Sequence, residues 1–179
     1  MGVACELGFE AKPANVLQRL VQNLASSRYG AWFFAKTLYL QDKAIFKLTG
    51  GRLTVPTVLA GLPVLMFTTT GARTGRRRTM PLLGIPVGED LAVIGSNYGQ
   101  KKTPGWVYNL EADPSATVEY GGRSVDVVAR RADELETDQI FQLASRVYPG
   151  YAKYRVRADH RVIRVFVLEQ ASSNLSRRQ

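Results

Sequence analysis

The chain has 179 residues, enough for about one domain. At 45% hydrophobic and 22% charged it has a globular rather than a disordered composition. The charge is less ordinary: 24 Lys and Arg against 15 Asp and Glu give +9, and 17 of the basic residues are arginine. The single cysteine, Cys5, excludes an internal disulfide, and with one histidine, His160, a zinc site of the usual His/Cys type is excluded too.

Residues 1–12 read as a loose leader. Met1–Glu10 carries Glu6 and Glu10 and lacks the basic start of a secretory signal, so the expected location is the cytoplasm. No run reaches 18 apolar residues, so no spanning helix is expected. Val16, Leu17, Leu20, Val21 and Leu24 mark one helix face, and Trp32–Leu40 reads as a second helix. Residues 10–55 carry seven basic and two acidic residues, a local charge of +5. Two readings stand for this stretch. Its helices pack on the core, or they meet an anionic membrane on the inner face of the plasma membrane.

A turn-rich linker follows from Gly50 to Pro63. Val64–Thr70 is β-branched and aromatic and predicts a strand. Arg77–Val87 predicts a second, at an edge or bulge because of Pro81 and Pro86. Leu91–Ser96 predicts a third. Pro104 suits a helix start, and Gly105–Ala112 is the expected short helix. Gly121-Gly122 predicts a tight hairpin between strands at Thr117–Tyr120 and Ser124–Arg131. Ala132–Val147 reads as a helix with acids at its start. Arg161–Leu168 reads as the last strand. The organisation expected is a helical extension over 1–55, a small antiparallel barrel over 56–171 with peripheral helices, and a disordered tail over 172–179.

Three segments could carry chemistry. The first is Thr68–Thr79 (T-T-T-G-A-R-T-G-R-R-R-T), with four arginines, several hydroxyls and two glycines on a hairpin. Charge-assisted hydrogen bonds from arginine suit phosphate or carboxylate. Strand alternation puts Arg76 and Arg78 on one face and Arg77 on the other, so the three cannot grip one small group. The second is Gly95–Trp106, a strand running through a polar loop into a helix start, where amides favour an anion or a polar ring edge. Trp106 and Leu110, four apart, can pack inward. The third is Tyr148–Tyr154, where phenols at three-residue spacing either line a pocket or pack at a helix end. No Walker A loop and no strand-linked G-x-G-x-x-G appears, and His160 has no nucleophile elbow nearby. A recognition helix or zinc finger is also missing, so nucleic acid is not the expected anion.

Together these segments resemble the deazaflavin-dependent nitroreductase family, a branch of the split-barrel oxidoreductases that use coenzyme F420. The motifs that carry the resemblance are L-T-G-G-R-L (48–53), G-L-P-V-L-M-F-T-T-T-G-A-R-T-G-R-R-R-T-M-P-L-L (61–83), G-S-N-Y-G (95–99), P-G-W-V-Y-N-L (104–110) with A-D-P (112–114), and Y-P-G-Y-A-K-Y (148–154). The resemblance implies a split β-barrel of mainly β class with peripheral helices. It implies an enzyme that passes hydride from reduced F420 to a hydrophobic acceptor: a quinone, an enone or a nitro compound. FMN is the less favoured cofactor, and the alternatives are an FMN-dependent split-barrel oxidoreductase or a non-catalytic cofactor-binding protein. No metal is implied, and a homodimer is compatible.

By family position, Arg73 and Arg78 meet the cofactor's phosphate and tail, with Thr70, Gly71 and Thr74 in the same loop and Pro81 beyond it. Ser96 and Asn97, with Tyr98 and Gly99, edge the deazaflavin ring, and Lys101 or Lys102 reaches the tail. Trp106 and Asn109 lie in the helix beside the cofactor. Tyr148, Tyr151 and Tyr154 match substrate-side tyrosines, and Tyr151, with Ser96, is the expected orienting or proton-donating group. The chain departs from the nitroreductase pattern at Asn97, Leu83 and the order Trp106-Val107-Tyr108-Asn109. These departures set the acceptor side apart and weaken any inference to nitroimidazole activation.

Overall fold

The computed structural model describes residues 2–9 and 61–171. The two expected helices at Asn15–Leu24 and Trp32–Leu40, the linker before Gly61 and the tail lie outside the described residues. The elements are α1 (Val3–Leu7), β1 (Val64–Thr70), β2 (Arg77–Leu83), β3 (Ile85–Val87), β4 (Asp90–Ile94), α2 (Gly105–Ala112), β5 (Ser115–Tyr120), β6 (Arg123–Arg131), α3 (Glu134–Val147), α4 (Gly150–Arg157) and β7 (Val165–Gln170).

The strands form one antiparallel sheet in the order β2-β1-β5-β6-β7-β4-β3. Its two edges, β2 and β3, are consecutive in the chain with only Gly84 between them. A flat sheet of seven strands cannot satisfy that connection, because edge strands would lie about six strand spacings of 4.8 Å apart. The sheet therefore curls into a split barrel with its seam at Gly84. A Cβ on Gly84 would stand 2.8 Å from Leu65 Cδ1 and 3.0 Å from Phe9 Cε2, so the seam is packed tight. Pro81 and Pro86 sit on the two edge strands, where a missing N–H is tolerated.

Side-chain alternation divides the core into two layers. Leu65, Phe67, Leu91, Val93, Val118, Val127, Phe166 and Leu168 point into the barrel, where Trp106, Val107 and Leu110 of α2 join them. The intervening residues Val64, Ala92, Ile94, Val165 and Val167 point outward against Ile140, Phe141 and Ala144 of α3 and Tyr151 and Tyr154 of α4. Strands β1, β4 and β7 are thus covered on both faces, which is why they read as unbroken apolar runs. The hairpin β5–β6 alternates because its outer face meets water: Val125 and Val127 are buried, Ser124 and Asp126 exposed. Its turn, Gly121-Gly122, has φ of +58° and +83°, the paired positive values a two-residue hairpin requires.

Two expectations are corrected. Residues 1–12 are not a loose leader throughout: Val3 and Leu7 of α1 are fully buried in the barrel core. Five residues cannot hold a helix alone. Packing does it here, aided by Ala4 N–H donating to Glu89 O at 3.0 Å. The last strand is Val165–Gln170 rather than Arg161–Leu168, because its pairing with β4 begins at Val165, opposite Ile94 where β4 ends. Helix α3 begins with a reciprocal cap, Asp133 accepting from the Glu136 N–H at 2.8 Å. Arg130 of β6 grips Glu136 through two bonds of 2.8 and 2.9 Å and Glu169 of β7 through a third, pinning α3 to the barrel.

Candidate functional site

The β1–β2 turn is a compact loop. Gly71 N–H donates to Arg76 O at 2.9 Å, and Gly75 N–H donates back to Gly71 O at 2.8 Å. Arg73, Thr74, Arg76 and Arg78 are exposed on and beside it. A Cβ on Gly71 would meet Thr74 Oγ1 at 2.9 Å, Arg76 O at 3.2 Å and Arg78 Nε at 3.3 Å. The bare glycine lets the Arg78 guanidinium lie across the backbone of the turn. Alternation works as expected: Arg77 turns to the outer face, where its Nη2 donates to Thr117 Oγ1 at 2.7 Å, and Thr117 in turn donates to Asp126 at 2.8 Å. Pro81 lies further along β2, opposite Met66.

Asn109 anchors this turn from α2. Its Nδ2 donates to Thr69 Oγ1 at 3.0 Å and its Oδ1 accepts from the Ala72 N–H at 3.0 Å. Both of its amide ends are therefore engaged, and Asn109 is a positioning residue for the turn. The strand residue it meets is Thr69, whereas Thr70 points to the opposite face. Thr69 was not among the expected site residues, though it sits two beyond Phe67 on the inward face, and that spacing would have found it.

The second loop follows β4. Asn97, Tyr98 and Gly99 have φ of +47°, +56° and +75°. Two consecutive non-glycine residues in the left-handed region cost about 1–3 kcal/mol each, which surrounding contacts must offset. Asn97 Nδ2 donates to Lys102 O at 2.8 Å. Gly99 rests on α4, where a Cβ would fall 2.8 Å from Arg157 Cβ and 3.3 Å from Tyr154 Cα. The Tyr98 and Tyr154 rings meet edge-on at 6.0 Å. Arg161, also absent from the expected list, donates to the carbonyls of Gly95, Ser96 and Gln100 at 3.1, 2.8 and 3.2 Å. Its only sequence signal is an arginine placed beside a strand. Ser96 is buried, and Lys101 and Lys102 are exposed.

Helix α2 joins the two loops. It starts just after the Ser96–Thr103 segment and reaches the β1–β2 turn at Asn109, about 6 Å along its axis from Gly105. Trp106 is only 5% exposed and packs between Phe67 and Phe166 at ring distances of 5.8 and 5.9 Å. It is a core aromatic. Asn109 thus ties the Arg73/Arg78 turn to α2, and Val107 of the same helix sits against Gly95, where the second loop begins.

The tyrosines form a packed cluster rather than an open rim. Tyr148, Tyr151 and Tyr154 are buried, with ring centroids 5.9–6.2 Å apart. The Tyr148 and Tyr154 hydroxyls share a hydrogen bond of 3.1 Å. Burial raises the pKa of all three phenols above the ordinary tyrosine value, and they stay protonated at neutral pH.

The family profile described as F420H(2)-dependent quinone reductase matches residues 39–170. The chain belongs to this family. It is an F420-dependent oxidoreductase. An F420H(2)-dependent quinone reductase of Mycobacterium tuberculosis is 31% identical over 136 residues, covering 73% of this chain and 88% of that protein. A solved F420-H2 dependent reductase (FDR-A) is 36% identical, with a TM-score of 0.55 over 60% of this chain and 94% of its own. A second solved structure, described as a domain-swapped dimer, is 31% identical, with a TM-score of 0.57 over 73% of this chain and 97% of its own. The donor set suits the cofactor: arginines on a tight glycine turn for an anionic phosphate and carboxylate tail, and a half-buried polar loop for a heteroaromatic edge.

Proposed function

We propose that this protein reduces a hydrophobic quinone with reduced F420. The observation that carries the reading is that α2 meets both segments: Asn109 holds the arginine-bearing turn, and Val107 sits against Gly95, where the polar loop held by Arg161 begins. An elongated cofactor with an anionic tail and an uncharged ring needs those two environments together. Bound F420 supplies a hydride. Arg73 and Arg78 hold its phosphate and tail, with Gly71 and Thr74 shaping the turn and Lys101 or Lys102 adding charge. Ser96, Asn97, Tyr98 and Gly99 edge its ring. Asn109 and Trp106 act from behind, Asn109 by fixing the turn and Trp106 by filling the core.

The acceptor side falls to Tyr98, half-buried in the loop, with the packed Tyr148, Tyr151 and Tyr154 behind it. The Tyr98 phenol carries a hydroxyl hydrogen that can orient a carbonyl. Tyr148 and Tyr154 carry two hydroxyl hydrogens and use one between themselves. Tyr151, fully packed, supports that pair. Ordering both reactants in contact is the main catalytic contribution available to such a site.

A lipid-borne acceptor also fits the +5 charge over residues 10–55, a stretch outside the described residues. Among the described residues no helix is long and apolar enough to cross a membrane. The contact proposed for that stretch is peripheral, on the inner face of the plasma membrane. Pairing with a second copy belongs to the same reading, and sedimentation equilibrium reads it directly.

The test is calorimetric titration with F420 and with FMN, followed by anaerobic oxidation of reduced F420 with a menaquinone analogue, an enone and a nitroimidazole. The reading requires F420 binding and quinone reduction. Preferential FMN binding, or reduction of the other acceptors only, refutes it. Liposome sedimentation of the full chain with Arg19, Arg28 and Lys36 changed to Gln tests the membrane contact. Unchanged sedimentation counts against it.

A further inference from the structure

We infer that Arg161 is the positioning residue that holds the Ser96–Gly99 loop in its ring-accepting form; this rests on the function proposed above. The loop contains three successive residues with positive φ, of which only Gly99 adopts that conformation without strain. One guanidinium spans it: Nη1 bonds Gly95 O before the turn, Nη2 bonds Ser96 O within it and Nε bonds Gln100 O after it. Three carbonyls from both ends of the turn thus converge on one rigid plane. No lysine reproduces that fork, because an ammonium has no fixed planar geometry.

The placement works against the charge of Arg161. It is partly buried, and Arg164 lies close enough to disfavour a second cation; both lower its pKa. Arg164 has a carboxylate partner, Glu111 Oε1 at 2.6 Å from its Nε. Arg161 has carbonyls only among the described residues. A cation kept there without a carboxylate is retained for its geometry. It is also fixed in place, since Arg161 N–H caps the end of α4 by donating to Ala158 O at 3.1 Å. The same short connection therefore carries the tyrosine helix and the clamp, so the ring-side loop and the acceptor-side cluster share one support.

The experiment uses the full chain carrying Arg161→Gln and Arg161→Lys. Hydrogen exchange of the amides at 96–102 is followed alongside that of β1, β5 and β6, and F420 and acceptor kinetics are measured on the same preparations. The expected result for Arg161→Gln is at least tenfold faster exchange confined to 96–102, and an F420 Kd raised at least tenfold. Arg161→Lys falls between. Unchanged exchange at 96–102, or faster exchange spread evenly over the barrel, overturns the inference. So does unchanged F420 affinity in a protein whose wild type binds F420. If the wild type does not bind F420, the proposed function fails, and the exchange pattern alone decides whether Arg161 clamps the loop.

Discussion

Asn109 and Thr69 meet through a buried hydrogen bond of 3.0 Å, and this contact ties α2 to the strand that leads into the arginine turn. The other end of the same amide accepts from Ala72 N–H. Replacing Asn109 by Leu removes both bonds while keeping the volume. Unpaired buried polar groups cost about 1–3 kcal/mol each. Asn109→Leu should lose ~2–4 kcal/mol in urea unfolding and weaken F420 binding at least tenfold. An equally stable variant that still binds F420 would remove Asn109 from the positioning role.

The arginine turn makes a sharper prediction, because neighbouring arginines serve opposite faces. Arg78 lies over Gly71, whereas Arg77 is held on the outer face by Thr117. Arg78→Gln should raise the F420 Kd at least tenfold and flatten its dependence on salt. Arg77→Gln should change the Kd less than threefold. Equal losses at both positions would mean that the tail is bound by the diffuse field of the hairpin and not by a directed contact.

Much of this architecture was legible in the sequence, and the misses have identifiable physical causes. Helix Gly105–Ala112 and the Gly121-Gly122 turn were readable because Pro104 and the paired glycines impose local geometry. The Arg77/Arg78 split followed from strand alternation alone. The burial of α1 was not legible, since five residues have no helical period to show and owe their shape to a sheet far away in sequence. Arg161 looked like part of a strand because its partners lie about 60 residues upstream. The tyrosines left two readings open, rim or packing. Their ring contacts decide for packing, which leaves Tyr98 as the phenol carried by the loop itself.

The tyrosine cluster predicts an alkaline limit to stability. Burial raises the folded pKa of Tyr148, Tyr151 and Tyr154 above the unfolded value of about 10. Below that pH both states are protonated and the stabilisation is complete. Above it the unfolded chain loses protons that the folded protein keeps, so stability falls as pH rises. Thermal unfolding should show a Tm that declines from about pH 10 upward. Tyr148→Phe should make the decline shallower, and an identical slope would show that this phenol is not sheltered.

Helix α1 should matter more than its length suggests. Leu7 is buried with Val3 in the inner core. Leu7→Ala should cost about 2–5 kcal/mol, the range for a buried leucine. A loss under about 0.5 kcal/mol, the level of a surface substitution, would return residues 2–9 to the status of a leader. For the same reason, truncations meant to probe the N-terminal region should keep this helix.

Gly99 gives the most discriminating test of the ring-side loop. An alanine there pays about 1–2 kcal/mol for its left-handed backbone and also drives its Cβ to 2.8 Å from Arg157 Cβ on α4. Gly88, in the β3–β4 turn, has φ of +60° and open space around it, so an alanine there meets the backbone cost alone. Gly88→Ala should lower the Tm by a few degrees and leave F420 affinity unchanged. Gly99→Ala should lower it further and weaken F420 at least tenfold, because the loop must lift from Tyr154 and Arg157 to make room. If the two variants behave alike in both measurements, the seating of the loop on α4 has no part in cofactor binding.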